Sequence, residues 1–241
     1  FGMTAERFSR LLGAGLHSMT VSLDGLEENH DWLRGREGSF TRAAETIRMA
    51  VRSGIAFDVV TCVNRRNYSQ LPQLKEFLIG LGLKEWRLFS IFPQGRAAQN
   101  PDLQLPPEMF RGMLDFIKET RKEGRIKASY GCEGFLGPYE GDVRDHFYSC
   151  QAGVTVGSVL VDGSISACTS IRSDYHQGNI YEDDFMDVWE HRFQPYRDRS
   201  WMRKDDCADC KYWKWCEGNG MHLRDSDGKL MLCHLKRILD K

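Results

Sequence analysis

Seven of the eight cysteines lie after residue 130, and three of them stand in one short loop, Cys207-x2-Cys210-x5-Cys216, with Cys233 following after a further stretch. This spacing constrains the fold of the C-terminal third more than any other feature. A two-residue gap lets both thiolates of one turn face the same metal, and a third ligand from that loop with a fourth from a later segment completes a tetrahedral set. Thiolates are soft donors, so such a set suits zinc or an iron–sulfur cluster and not calcium or magnesium. A redox-active Cys-x-x-Cys pair is the alternative, but Cys207-Ala208-Asp209-Cys210 lacks the βαβ setting of a thioredoxin-like motif. Spacing alone leaves zinc and iron–sulfur both open.

A second group is less complete. Cys150 and Cys168 flank a predicted hairpin, Val154 to Ser166, whose turn is Asp162-Gly163, and Cys132 lies upstream in Gly131-Cys132-Glu133-Gly134. Three cysteines hold a cluster with one position open or filled by another ligand; alternatively they are buried free thiols. Cys62 sits in a predicted strand and reads as core packing. His222 follows the cysteine loop and reads as a surface residue or a neighbour of the metal site before it reads as a ligand.

The first half alternates helix and strand. Thr4 caps a helix ending at Gly13 to Gly15, Met19 to Leu23 is a strand closed by Asp24-Gly25, and Ser39 caps a helix from Thr41 through Val51 with Gly54 as its stop. A strand at Ala56 to Val63, a helix at Leu71 to Leu81, a strand at Trp86 to Phe92 and a helix opened by Pro106-Pro107 follow. Three βα units of this kind predict a parallel sheet with helices packed outside it, and ligands on such sheets sit at the carboxyl ends of strands. The strand-end segments are Ser22 to Gly25, Asn64 to Asn67 and Phe92 to Gly95; ordinary loops are the plainer reading of them. Regular helices give way to glycine and cysteine after Gly124, which places a domain boundary near residues 122–130.

Basic and acidic residues nearly balance, 33 against 34, which leaves no electrostatic footprint for nucleic acid or an anionic membrane. No apolar run is long enough to span a membrane and no signal-peptide pattern opens the chain, so the default is a soluble, cytoplasmic protein. The reducing cytosol disfavours disulfides there.

On these residues the chain resembles radical S-adenosylmethionine (radical SAM) enzymes that carry the C-terminal SPASM extension. Cys150, Gly163 and Cys168 match the first part of the extension's pattern; Cys207, Cys210, Cys216 and Cys233 match the second, with Gly220 standing where the pattern has a further cysteine. Gly178-Asn179-Ile180, ahead of the Trp189 helix, also looks like the family. Ser22-Leu23-Asp24-Gly25, with His30-Asp31 and Arg34-Gly35, looks like its fourth barrel strand and the loop after it.

The resemblance implies an α/β fold: the last three or so units of a partial (β/α)6 radical SAM barrel over residues 1–125, then a small cysteine-rich α+β SPASM domain with a β-hairpin over 126–241. It implies that Ser22, Asp24 and Arg34 contribute to S-adenosylmethionine binding. By the same resemblance Cys207, Cys210, Cys216 and Cys233 hold an outer auxiliary [4Fe-4S] cluster, and Cys150, Cys168 and Cys132 a second, incomplete one. The implied activity is modification of a peptide or protein substrate, with electrons from a ferredoxin or flavodoxin. The family's Cys-x3-Cys-x2-Cys motif does not occur in the 241 residues. With Phe1 in place of an initiator methionine, this reads as a chain starting in mid-protein and inactive alone. Thr169 stands where related sulfatase-maturing enzymes have an aspartate, which disfavours sulfatase maturation. The non-catalytic alternative is a zinc-stabilised binding module.

Overall fold

The structure, a computed structural model, describes residues 3–131 and 134–239. Among these, 3–131, 139–146 and 237–239 form one compact unit and 134–138 and 147–236 another. No helix among the described residues is long and apolar enough to cross a membrane.

The first unit is a parallel four-stranded sheet in the order β1 (Ser18–Ser22), β2 (Ala56–Val63), β3 (Glu85–Ser90), β4 (Lys127–Tyr130). Register runs Val21 to Val59, Val59 to Trp86 and Trp86 to Ala128. Alternation fixes which face is covered: Val21, Val59, Val63, Trp86, Leu88 and Ala128 are buried, while Ser22, Thr20 and Ala56 on the other face are exposed. The helices are α1 (Ala5–Gly13), α2 (Glu27–Arg34), α3 (Ser39–Ser53), α4 (Leu71–Gly80) and α5 (Pro107–Glu123). Ile47 and Ala50 of α3, Leu74 and Leu78 of α4, and Phe110, Met113, Leu114 and Ile117 of α5 are all fully buried at helical spacing. Trp86 anchors this core. Its indole Nε1 donates to Thr61 Oγ1 at 2.8 Å, and that hydroxyl donates to the Leu23 carbonyl at 2.6 Å, so the buried polar atoms are paired in a chain across three strands.

Three details differ from the sequence reading. A fourth strand, β4, extends the sheet beyond three; its inward residues Ile126, Ala128 and Tyr130 alternate with polar ones over too short a run to stand out between two glycines. The helix α2 carries Asn29 and His30 as its buried residues, so it has no apolar stripe to betray it. Ser39 is the first residue of α3 and not its cap. The Asp31 carboxylate takes that role from a distance, accepting from Gly38 N at 2.6 Å and Phe40 N at 2.7 Å.

The second unit contains the antiparallel sheet β5 (Ser158–Val159), β6 (Ser164–Ser166), β7 (Gly178–Asn179). The predicted hairpin joins β5 and β6, pairing Val159 with Ile165. Asp162 accepts from Ser164 N at 3.0 Å, and Gly163 takes φ +84°, where a Cβ would lie 2.5 Å from Asn179 Oδ1. Short helices follow: α6 (Phe185–His191), capped by Asp184, α7 (Gln194–Arg197), α8 (Trp213–Cys216) and α9 (His234–Leu239). Ile165, Val188, Phe193, Tyr196, Met202 and Met221 form the larger core, and Phe135, Tyr148 and Leu235 a smaller one.

Candidate metal centre and strand-end cleft

The four cysteines of the loop pattern arrive on three short elements. Cys207 closes a 3-10 turn (Asp205–Cys207) and is buried. Cys210 and Cys216 bracket Tyr212 to Trp215, with Cys216 the last residue of α8; left-handed Glu217 (φ 46°) and Asn219 (φ 74°) then turn the chain away. Cys233 immediately precedes α9. Cys216 and Cys233 pack with Tyr212 against Phe135, Tyr148 and Leu235.

Cys216 and Cys233 share one electrostatic environment, to which Cys207 is also close. The Cys216 thiol is pushed up to about 12, first by burial and then by Cys233, with Cys207 and Cys210 adding. Burial likewise pushes Cys233 up, with Cys207 contributing. Among the described residues no three cysteine, histidine or acidic side chains converge on one point at metal-ligand distances. The donor chemistry nonetheless fits a soft cation. Half-buried thiols held protonated by burial and by each other, as at Cys216 and Cys233, are the arrangement a bound metal reverses, because the cation stabilises each thiolate it contacts.

Cys150 and Cys168 both pack against the larger core, and Cys150 also touches the smaller one. Cys132 lies outside the described residues. At Gly220 a Cβ would lie 2.7 Å from His222 Cε1, so the imidazole occupies the space in which a side chain at 220 would start. Every cysteine among the described residues that the structure characterises, Cys62 included, is a free thiol.

In the first unit, Ser22 at the end of β1 and Arg34 at the end of α2 line one cleft of about 710 Å³ together with His30 and Ser39. Arg7, Arg10 and Arg42 line it too, and among the described residues no carboxylate does. Such a lining suits an anionic group. Asp24 lies beneath the cleft and is fully buried. Its carboxylate holds Arg34 Nη2 at 2.5 Å and accepts from Cys62 N at 2.8 Å. Its own N–H donates to His30 Nδ1 at 2.9 Å. Asn67 Nδ2 donates to the Asp24 carbonyl at 2.6 Å, which ties the second strand-end loop to the first. The structure thus brings Ser22 and Arg34 to one surface and sets Asp24 under them as support. Arg7 and Arg42, on α1 and α3, carry no motif that marks them in the sequence.

His30 gives this corner a pH dependence. Burial holds its imidazole below the ordinary value; Asp24 opposes this and Arg34 adds to it. Accepting from Asp24 N also requires a bare Nδ1. The unfolded chain takes up a proton near pH 6.5 while folded His30 resists, so stability falls as pH drops from there toward the folded value. Urea titrations between pH 7.5 and 5 are expected to show a shallower loss in His30→Gln than in wild type; equal slopes contradict this.

A parallel four-stranded βα sheet with a strand-end cleft is the architecture of a partial β/α barrel, and the unit that follows it in the chain is rich in cysteine. Comparison with known proteins agrees. Residues 150–211 match the model of SPASM, an iron-sulfur cluster-binding domain. The chain is 27% identical over 238 residues to the AdoMet-dependent heme synthase of Methanosarcina barkeri, covering 90% of this chain and 66% of that protein. Crystal structures of similar fold include Streptococcus suis SuiB, with TM-score 0.68 and 16% identity over 90% of this chain and 54% of SuiB. They also include native anSMEcpe with bound AdoMet and Cp18Cys peptide, with TM-score 0.66 and 20% identity over 98% of this chain and 68% of that one. The SPASM match and these likenesses support the resemblance to radical SAM/SPASM proteins. It spans 66% and 60% of the length of two curated relatives that it matches.

Proposed function

We propose that this chain is part of a radical SAM enzyme that modifies a peptide or protein, with auxiliary iron–sulfur clusters in its second unit. The observation that carries the reading is the SPASM match over residues 150–211, with Cys216 and Cys233 packed on one small core beside it. Cys207, Cys210, Cys216 and Cys233 hold one [4Fe-4S] cluster; Cys150 and Cys168, with Cys132, contribute to a second. S-adenosylmethionine, when bound and reduced, supplies a 5′-deoxyadenosyl radical that abstracts a substrate hydrogen. In this chain Ser22 and Arg34 bind the cofactor's polar groups in the strand-end cleft, and Asp24 holds Arg34 in place. The surrounding arginines favour its carboxylate. A ferredoxin or flavodoxin delivers electrons, and the site of action is the cytoplasm.

Peptide modification is favoured by the fold shared over 98% of this chain with a structure holding AdoMet and a peptide. The relative named as a heme synthase supports a second reading, in which the substrate is a carboxylate-bearing tetrapyrrole. Anaerobic turnover of the enzyme with a ribosomal peptide against an iron porphyrin separates the two: a mass change in the peptide alone supports the first, and in the porphyrin alone overturns it. The 241 residues contain no Cys-x3-Cys-x2-Cys. With S-adenosylmethionine and dithionite, this chain by itself is therefore expected to form no 5′-deoxyadenosine by chromatography, and formation above a protein-free blank contradicts that expectation.

A further inference from the structure

Arg224 is fully buried in the second unit, in the loop that links Cys216 to Cys233. Its Nη2 donates to the Gly218 carbonyl at 2.5 Å and to the Cys207 sulfur at 3.4 Å, and its Nη1 to the Gly228 carbonyl at 3.1 Å. Its Nε is buried without a hydrogen-bond partner, and no carboxylate among the described residues lies within ion-pair distance. Taking a guanidinium out of water costs several kcal/mol unless a counter-charge is present, and arginine does not escape by losing its proton. Two carbonyls supply dipoles but no charge. The remaining contact is a cysteine sulfur.

The local backbone is shaped around this side chain. Gly218 takes φ +81°, and a Cβ there would lie 2.7 Å from Arg224 Nη2 and 3.0 Å from Met202 Cβ. Leu223 and Met231 are joined by a backbone hydrogen bond of 2.9 Å, and Arg224 bridges Leu230, so the loop folds back on itself and holds the guanidinium inward.

We propose that Arg224 is the built-in counter-charge of the four-cysteine centre, donating to Cys207 and offsetting the negative charge that four thiolates gather around a metal. This rests on the reading of Cys207, Cys210, Cys216 and Cys233 as one ligand set. A charge-assisted hydrogen bond to a ligating sulfur stabilises the loaded state and makes Arg224 a positioning residue outside the metal's own bonds. Without the metal centre the same buried cation lacks that counter-charge.

The test uses cobalt(II) as probe. The full chain is purified metal-free under argon as wild type, Arg224→Lys and Arg224→Gln, and cobalt is titrated in while the thiolate-to-cobalt charge-transfer absorption is followed. Thermal unfolding of each metal-free form is recorded alongside. The glutamine variant is expected to lose roughly 10–100-fold in cobalt affinity, the range for removing a partner of a metal ligand, with lysine close to wild type. Metal-free Arg224→Gln is expected to unfold at a temperature no lower than wild type. Wild-type affinity in the glutamine variant overturns the proposal. So does equal loss in both variants, or a lower unfolding temperature of the metal-free glutamine form, since each assigns Arg224 to bracing the loop through carbonyls alone. Wild type without a charge-transfer band refutes the ligand set itself.

Discussion

Cys216→Ala, purified anaerobically, is expected to retain little of the metal that the wild-type chain holds, and its second unit is expected to lose much of its stability while still unfolding in a measurable transition. Binding to a complete four-ligand site is worth about 10–16 kcal/mol in small zinc domains, comparable with the whole 5–15 kcal/mol stability of an ordinary domain. The second unit has reason to depend on it. Its smaller core is Phe135, Tyr148 and Leu235 with half-buried cysteines packed on them, and the helices beside the site are short, four residues in α8 and six in α9. Removing chelated metal from wild type is expected to give the same loss. In the metal-free chain Cys216→Ala is expected to change stability little, because the buried thiol there is protonated and crowded by its neighbours. Cys62→Ala, which leaves the backbone N–H that Asp24 accepts intact, is the control and is expected to keep its metal. Metal content by mass spectrometry and denaturation followed by tryptophan fluorescence decide the matter. Wild-type metal content in Cys216→Ala contradicts the assignment of that ligand.

Asp24→Ala is expected to destabilise the first unit by about 3 kcal/mol in urea denaturation. Hydrogen bonds to charged groups contribute about 1.5–3 kcal/mol each, and breaking a fully buried ion pair costs about 3–5 kcal/mol. The lower part of that range applies because Arg34 is 38% exposed and regains water once released. The loss is shared by strand and helix, since one carboxylate fixes the Cys62 N–H of β2 and the end of α2. Asp24→Asn is expected to fall between, keeping an acceptor for Cys62 but no charge for Arg34. Calorimetric titration with S-adenosylmethionine is expected to weaken in the order wild type, Asn, Ala. A change below about 1 kcal/mol in Asp24→Ala, the scale of an ordinary surface substitution, contradicts the supporting role.

The cysteine spacing was legible because Cys207, Cys210 and Cys216 stand within ten residues of one loop. The hairpin was legible for the same reason, Asp162-Gly163 being a local turn signal between short strands. The strand-end cleft was legible only in part. Ser22, Asp24 and Arg34 could be named, but not that Asp24 is fully buried, with its carboxylate reaching residues 10 and 38 positions away. Arg7 and Arg42 meet Ser22 only through packing of α1 and α3, which no short pattern encodes. The helix α2 and strand β4 were missed because burial there falls on Asn29 and His30 in one and on Ala128 in the other. Arg224 is invisible in sequence. An arginine in a polar loop reads as a surface residue, and only the close approach of Gly218 and Cys207 shows it to be interior.

The most direct test of the account is elemental analysis of this chain isolated and reconstituted under anaerobic conditions. Iron, acid-labile sulfide and zinc are measured per chain in wild type and in a Cys207→Ala/Cys210→Ala variant. The account predicts brown wild-type protein with at least about four iron and four sulfide per chain, as a four-cysteine cluster requires, and a loss of about that amount in the variant. About one zinc per chain with no iron or sulfide after reconstitution, as in a structural tetrathiolate site, would contradict it.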